Sequence, residues 1–203
     1  MTSKFLGVHI DQNLKWRTHI TEISNKIKKN IGIIKRVSYL LPLHVLTDLY
    51  NYTLIYSYLT YCNLIWSSTY DTHLKGLIIL QKKAIRVISK SHGYTHTGPL
   101  FLEYKLLNIR QIKFVQTCEF MYQYTNNLLP PSFSSYFTPV MHHGLTRSNS
   151  DYRCIAARTN ARKFSIKFQG PVLWNNLPTN IRTAKSLVHF KKLLRVHTLK
   201  SII

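Results

Sequence analysis

Five isoleucines, Ile20, Ile23, Ile27, Ile31 and Ile34, recur at spacings of three and four residues. At about 100° per residue they fall within one narrow arc, which only an α-helix turns toward a single neighbour. Lys28, Lys29, Lys35 and Arg36 lie outside that arc. A second helix of the same make is predicted over 71–90, with Asp71 as N-cap and Leu74, Leu77, Ile78, Ala84, Ile85 and Ile88 on its apolar face. Lys75, Lys82, Lys83, Arg86 and Lys90 gather on the other face. Between the two runs a segment from Val37 to His73 that holds no Lys or Arg and is rich in Leu, Ile and Tyr. It reads as a buried central helix, with Pro42 in its first turn. Asp48, Asn51, Thr53, Ser57, Thr60 and Asn63 interrupt it too often for the roughly 20 apolar residues of a membrane span.

The N-terminal stretch FLGVHIDQNLKW has strand formers at Phe5, Val8 and Ile10, and turn chemistry at Asp11-Gln12-Asn13 before Leu14 and Trp16. It reads as a short hairpin, which is marginal in water without further support. Beyond Lys90, a Gly- and Pro-containing loop leads to a short helix and then a longer one with Ile112, Val115, Cys118 or Glu119, and Tyr122 in register. Pro130, Pro131 and Pro139 then break helix, and a terminal helix packs through Leu187, Phe190, Leu194 and, as an option, Val188. The expected fold is mainly α: a β-hairpin over 1–17, a helical domain over 18–129, and a small basic region of mixed structure over 130–203.

Charge sets the partner class. The 28 Lys+Arg against 7 Asp+Glu give a formal +21, a self-repulsion that a polyanion relieves. Nucleic acid is the first candidate and an anionic membrane surface the second. From Met141 onward there are twelve Lys+Arg and one acid, Asp151. There Arg147, Arg153, Arg158, Arg162, Lys163 and Lys167 interleave with Tyr152, Phe164, Phe168 and Trp174, a mixture suited to contacting phosphates while Phe168 and Trp174 stack on bases. The same residues equally suit a small aromatic core with a basic exterior. A basic helix face is likewise either a solvated surface or a phosphate contact, and Lys75, Lys82, Lys83, Arg86 and Lys90 are the better candidates for contact because acids are scarce around them.

The seven acids are scattered, with no D-D, D-x-D or E-x-x-D cluster to hold paired metal ions, so no catalytic residue is assigned. No phosphate-loop glycine pattern or nucleophile motif is present, and no cofactor is implied. Cys62, Cys118 and Cys154 form no C-x-x-C pair and read as reduced, buried thiols. His92 and His96, which share a helix face if that stretch is helical, and His142-His143 lack further ligands at metal spacing. The start MTSKFLGVHID has no apolar signal core, which implies an intracellular protein, nuclear or cytoplasmic.

FLGVHIDQNLKWRTHI, IGIIKRVSYLLP, LYNYTLIYSYLTYCNLIWSSTYDTHLKGLIILQKKAIRVI, and TRSN followed by GPVLWNNLPTNIR resemble, in that order, the C-terminal part of non-LTR (LINE-type, jockey-like) retrotransposon reverse transcriptases. The likeness spans nearly the whole chain. It implies that Phe5, Leu6 and Gly7 match the primer-grip strand, that Trp16 and His19 match its exit into the first thumb helix, and that the later helices form thumb and extension. It also implies that the hairpin rests on a palm sheet, that the family's Y-x-D-D lies upstream of this sequence, and that Met1 starts a truncated element. The chain is then a fragment of an RNA-directed DNA polymerase that binds RNA or DNA without being an enzyme itself, and an uncovered hairpin face promotes self-association or contact with a polymerase palm. The alternatives are a helical protein-interaction module and a decayed reading frame.

Overall fold

The computed structural model describes residues 2–140 and 151–200. Arg147 and the TRSN segment lie outside the described residues. The described chain is mainly helical, with one two-stranded antiparallel hairpin at the N-terminus, as the sequence predicts. Its contacts form one compact unit up to Ile112 and a second from Lys113. The sequence predicts a boundary near the prolines at 130; the packing divides instead inside one helix. Ile109, at the start of that helix, is hydrogen-bonded to Gln81 in the first unit, and Tyr122, further along it, to Ala184 in the second.

In the first unit, β1 (Thr2–Phe5) pairs with β2 (Val8–Asp11) in the register Phe5↔Val8 and Thr2↔Asp11. The turn is Leu6-Gly7, with φ of 45° and 79°, the positive pair that matches the right-handed twist of hairpin strands. The hairpin therefore does not turn at Asp11-Gln12-Asn13. That tripeptide forms the exit loop, where one Asp11 carboxylate oxygen accepts from the N–H groups of Asn13 (3.1 Å) and Lys15 (2.9 Å) and the other from Trp16 (2.5 Å).

Helix α1 (Arg17–Val37) buries all five isoleucines and packs on α5 (Asp71–Ile88), which buries Leu74, Leu77, Ala84, Ile85 and Ile88. Asp71 is the first helical residue of α5 rather than its cap; Tyr70, with extended backbone, holds the cap position. The expected single central helix is corrected to four pieces: α2 (Leu43–Asp48), a π-helical turn (Leu49–Leu54), α3 (Tyr56–Thr60) and α4 (Asn63–Trp66). Thr53, Ser57, Thr60 and Asn63 each donate to the carbonyl four residues back, competing with the helical ladder, and Cys62 takes φ 49°. Leu46, Tyr50, Ile55, Leu59 and Trp66 are buried, whereas Leu43, Tyr52, Tyr61 and Ile65 are exposed, so the segment is not apolar-buried all round. Helix α6 (Thr97–Glu103) follows a loop that carries His92, which is not helical, and α7 (Ile109–Thr125) begins just before the division.

The second unit continues along α7 into a 3₁₀ turn (Pro131–Phe133), α8 (Asn160–Phe164), α9 (Ile166–Asn175), α10 (Thr179–Arg182) and α11 (Leu187–Lys200). Its strand-like pairing among the described residues is one antiparallel bridge between Pro139 and Tyr152, so the region expected to be mixed is mostly helical. The core is aromatic: Tyr122 stacks on Phe190 at 4.3 Å, and Trp174 lies 6.1 Å from the same ring. Gly170 on α9 lies close against Met121 of α7 and Phe137, since a Cβ there would sit 2.7 Å from the Met121 sulfur and 3.3 Å from the Phe137 ring. In α11, Phe190 and Leu194 are buried and Val188 is exposed.

Candidate nucleic-acid interface

Four of the seven carboxylates are tied to cations or histidine: Glu22 to His9 and Asp71 to Arg110 (both 2.9 Å), Glu119 to Lys191 (3.4 Å), and Asp151 to Arg182 (2.6 Å). A fifth, Asp11, is committed to backbone N–H groups. Burial opposes ionisation of Asp11, but the three N–H donors and Lys15 prevail and hold its carboxyl below the usual carboxylate range. The four paired acids each answer one partner of the same chain, the Asp71–Arg110 pair at the exposed surface, and leave most of the 28 Lys and Arg without a carboxylate.

Lys75, Lys82 and Lys83 on α5 are exposed and have no carboxylate partner among the described residues. Lys90 lies past the end of α5 at φ 52°, its N–H on the Val87 carbonyl, so it caps the helix instead of extending its basic face. Arg86 is half-buried because its Nε–H donates to the Thr95 carbonyl at 2.9 Å, which fixes the loop before α6. Lys82 and Arg86 open onto a pocket of about 340 Å³, whose wall also takes His96, Asn108 and Arg110. Asn108 caps α7: its side-chain oxygen accepts from the N–H groups of Arg110 (3.0 Å) and Gln111 (3.1 Å). Arg110, His96 and Asn108 escape sequence reasoning because they come from other elements with no periodicity linking them to α5. The one available signal is the N-x-x-Q run Asn108–Gln111, which marks a capped helix start.

In the second unit Arg153, Arg158, Arg162, Lys163 and Lys167 are all exposed. The aromatics between them are not arrayed for stacking. Trp174 is fully buried, Tyr152 is buried with its hydroxyl 3.0 Å from Thr125, and Phe164 and Phe168 are half-buried. The structure thus selects the core-with-basic-exterior arrangement, and Trp174 is removed from the set of base-stacking candidates. The GPVLWNNLP run is architectural as well: Asn175 pairs through its amide with both the N–H (3.0 Å) and C=O (2.8 Å) of Tyr152. Lys167 sits over the Tyr136 ring, 5.1 Å from its centre, a cation–π contact at the surface.

Phe5, Leu6 and Gly7 form the tip of the hairpin, with Phe5 65% and Leu6 73% exposed and the Tyr61 hydroxyl donating to the Leu6 carbonyl at 2.6 Å. Val8 and Trp16, by contrast, are buried inside the first unit, where β2 lies along α1. The uncovered apolar face expected from the sequence is therefore reduced to the tip, and the hairpin has support within its own chain. Cys118 is buried, but Cys62 is half-buried and Cys154 exposed, so the expectation of three buried thiols holds for one.

Behind the hairpin, His19 is buried with Nδ1 accepting from the His9 backbone N–H at 3.4 Å and its ring edge-on to Trp66 at 5.8 Å. Burial, with His9 and Lys26 nearby, holds its protonated form below the usual histidine range against the pull of Glu22. The unfolded chain therefore binds the proton more readily, so the neutral ring contributes stability above about pH 6.5 that is lost as pH falls below it. Denaturant titrations should show stability level above pH 7.5 and falling toward pH 5, with a shallower fall in His19→Gln. A wild-type curve flat across that window would count against this role.

Among the described residues, no three His, Cys, Asp or Glu side chains converge to hold a metal ion, and no helix is long and apolar enough to cross a membrane. No family model, curated protein or solved structure matches the chain.

Proposed function

We propose that this chain is a nucleic-acid-binding region of a non-LTR retrotransposon reverse transcriptase, which contacts the phosphates of RNA or DNA and does no chemistry itself. The observation that carries the binding is the imbalance of charge: four carboxylates are paired with cations or histidine of the same chain, while Lys75, Lys82, Lys83, Arg153, Arg158, Arg162, Lys163 and Lys167 are exposed and have no carboxylate partner among the described residues. The order of sequence segments described above supports the ancestry. Scattered acids, most of them already committed, support the absence of catalysis. A second reading, contact with another protein, draws on the exposed Phe5 and Leu6 at the hairpin tip.

The test is the salt dependence of binding to a labelled single strand. Each phosphate contact contributes roughly −0.7 to the slope of log K against log salt. Replacing Arg158, Arg162 and Lys163 with Gln should flatten the slope by about 2. The control triple, Lys28, Lys29 and Arg36 to Gln on α1, should leave it nearly unchanged. Equal flattening by both triples would mean a diffuse polycation with no site, and absence of strand binding at low salt would end the proposal.

A further inference from the structure

The pocket between α5, α6 and the start of α7 has a chemistry narrower than the basic surface around it. Its uncommitted cationic and amide groups are donors, the Lys82 ammonium, the terminal nitrogens of Arg86, and the Asn108 side-chain NH₂, whose oxygen already caps α7, and the His96 ring and the Thr97 and Tyr94 hydroxyls lie beside them. Gln81, at its base, is not available, because its amide is used on Tyr50, Leu107 and Ile109. Arg110 is present too, bound to the Asp71 carboxylate at 2.9 Å. No carboxylate lines the wall. Cationic donors facing a wall without carboxylates favour an anion whose oxygens take several hydrogen bonds at once.

A bare anion would not need the rest of the pocket. Ile78 and the buried Phe101 supply an apolar wall, and Tyr94, 92% exposed on the loop that Arg86 fastens, stands at the mouth. The volume of about 340 Å³ lies in the range of small-ligand sites, roughly 300–1,000 Å³. A nucleotide joins an anionic group to a flat body of this size. We infer that the pocket binds a single nucleotide unit, its phosphate on Lys82, Arg86 and Asn108, and its base between the Phe101 wall and the Tyr94 ring. This rests on the nucleic-acid reading above and sharpens it: the unit is either one residue splayed out of a bound strand or a free nucleoside monophosphate, which present the same phosphate and base.

Calorimetric titration of the full chain with adenosine monophosphate, with inorganic phosphate and with adenosine tests the pocket directly. The monophosphate should bind at least tenfold more tightly than either part alone. Lys82→Gln should weaken the monophosphate and inorganic phosphate alike, by about tenfold. Tyr94→Ala should weaken the monophosphate by a similar factor and leave inorganic phosphate unchanged. Both side chains are exposed and make no hydrogen bond or ion pair within the described fold, so both variants should melt as the wild type does. A monophosphate no tighter than inorganic phosphate, or one indifferent to both substitutions, overturns the inference. Competition then identifies the source: displacement of the monophosphate by a short single strand, lost in Tyr94→Ala, assigns the site to a splayed residue of the strand. Strand binding with no displacement and no effect of Lys82→Gln on the monophosphate would overturn the pocket while leaving the broader nucleic-acid reading in place. Monophosphate binding without strand binding would overturn that broader reading and keep the pocket as a site for free nucleotides.

Discussion

A Trp174→Ala chain is expected to lose about 3–5 kcal/mol from the second unit, the range for deleting a large aromatic from a packed core. The indole is fully buried, 6.1 Å from Phe190, whose ring stacks on Tyr122 at 4.3 Å. Tyr122 in turn donates to the Ala184 carbonyl at 2.8 Å, so a cavity here loosens α7, α9 and α11 together. Set against a typical domain stability of about 5–15 kcal/mol, the loss removes much of what holds this unit folded. Circular dichroism should show the melting transition of the variant displaced far downward or split, with strand binding reduced in proportion to the unfolded fraction. Phe168→Ala, at a half-buried ring, should cost much less. The contrary result is specific: a variant that melts like the wild type but binds a strand tenfold more weakly would return Trp174 to the role of a stacking platform.

That a tryptophan among arginines reads equally as core or as platform shows where sequence stops. Composition reports which side chains are near in the chain, and burial is decided by the other elements that fold over them. The isoleucines of α1 escape this ambiguity because their spacing is itself the burial pattern, and all five are inside. The hairpin shows a different limit. Asp11-Gln12-Asn13 has the stronger turn composition, but the two positive φ values of a tight hairpin fall at Leu6 and Gly7, and Leu6 accepts an unfavourable conformation for the sake of register. The central segment fails in a third way. Its apolar content is helical, but hydroxyl and amide side chains bonded to carbonyls four residues back break it into pieces. For the site, the basic stripe of α5 is legible and its depth is not. Asn108, Arg110 and Tyr94 reach the pocket from separate segments, and Lys90 is carried away by a left-handed cap.

Gln81 is the residue least legible of all, a polar side chain on the apolar face of α5, and it carries the second large effect. It is fully buried; its amide nitrogen donates to the Tyr50 hydroxyl (3.0 Å) and the Leu107 carbonyl (3.3 Å), and its oxygen accepts from the Ile109 N–H (2.9 Å). One side chain thereby satisfies backbone groups on both sides of the chain's entry into α7. Gln81→Leu keeps nearly the same volume, so it creates little cavity, but it strands three buried polar groups that each cost about 1–3 kcal/mol when unpaired. The expected loss is about 3 kcal/mol or more, which for a unit of this size lowers its melting temperature by roughly 10–20 °C. Tyr50→Phe, which removes one of the three partners together with its hydroxyl, should cost about a third as much. A functional consequence follows from the same geometry. Ile109 follows Asn108 directly, so freeing its N–H lets the Asn108 donor drift, and Gln81→Leu should weaken adenosine monophosphate binding at temperatures where the variant is still folded. The salt slope for single-strand binding, set largely by exposed side chains of the second unit, should persist. A Gln81→Leu chain that melts within two or three degrees of the wild type would show that the amide does not anchor α7, and with it would go the claim that Asn108 is held in place for a ligand.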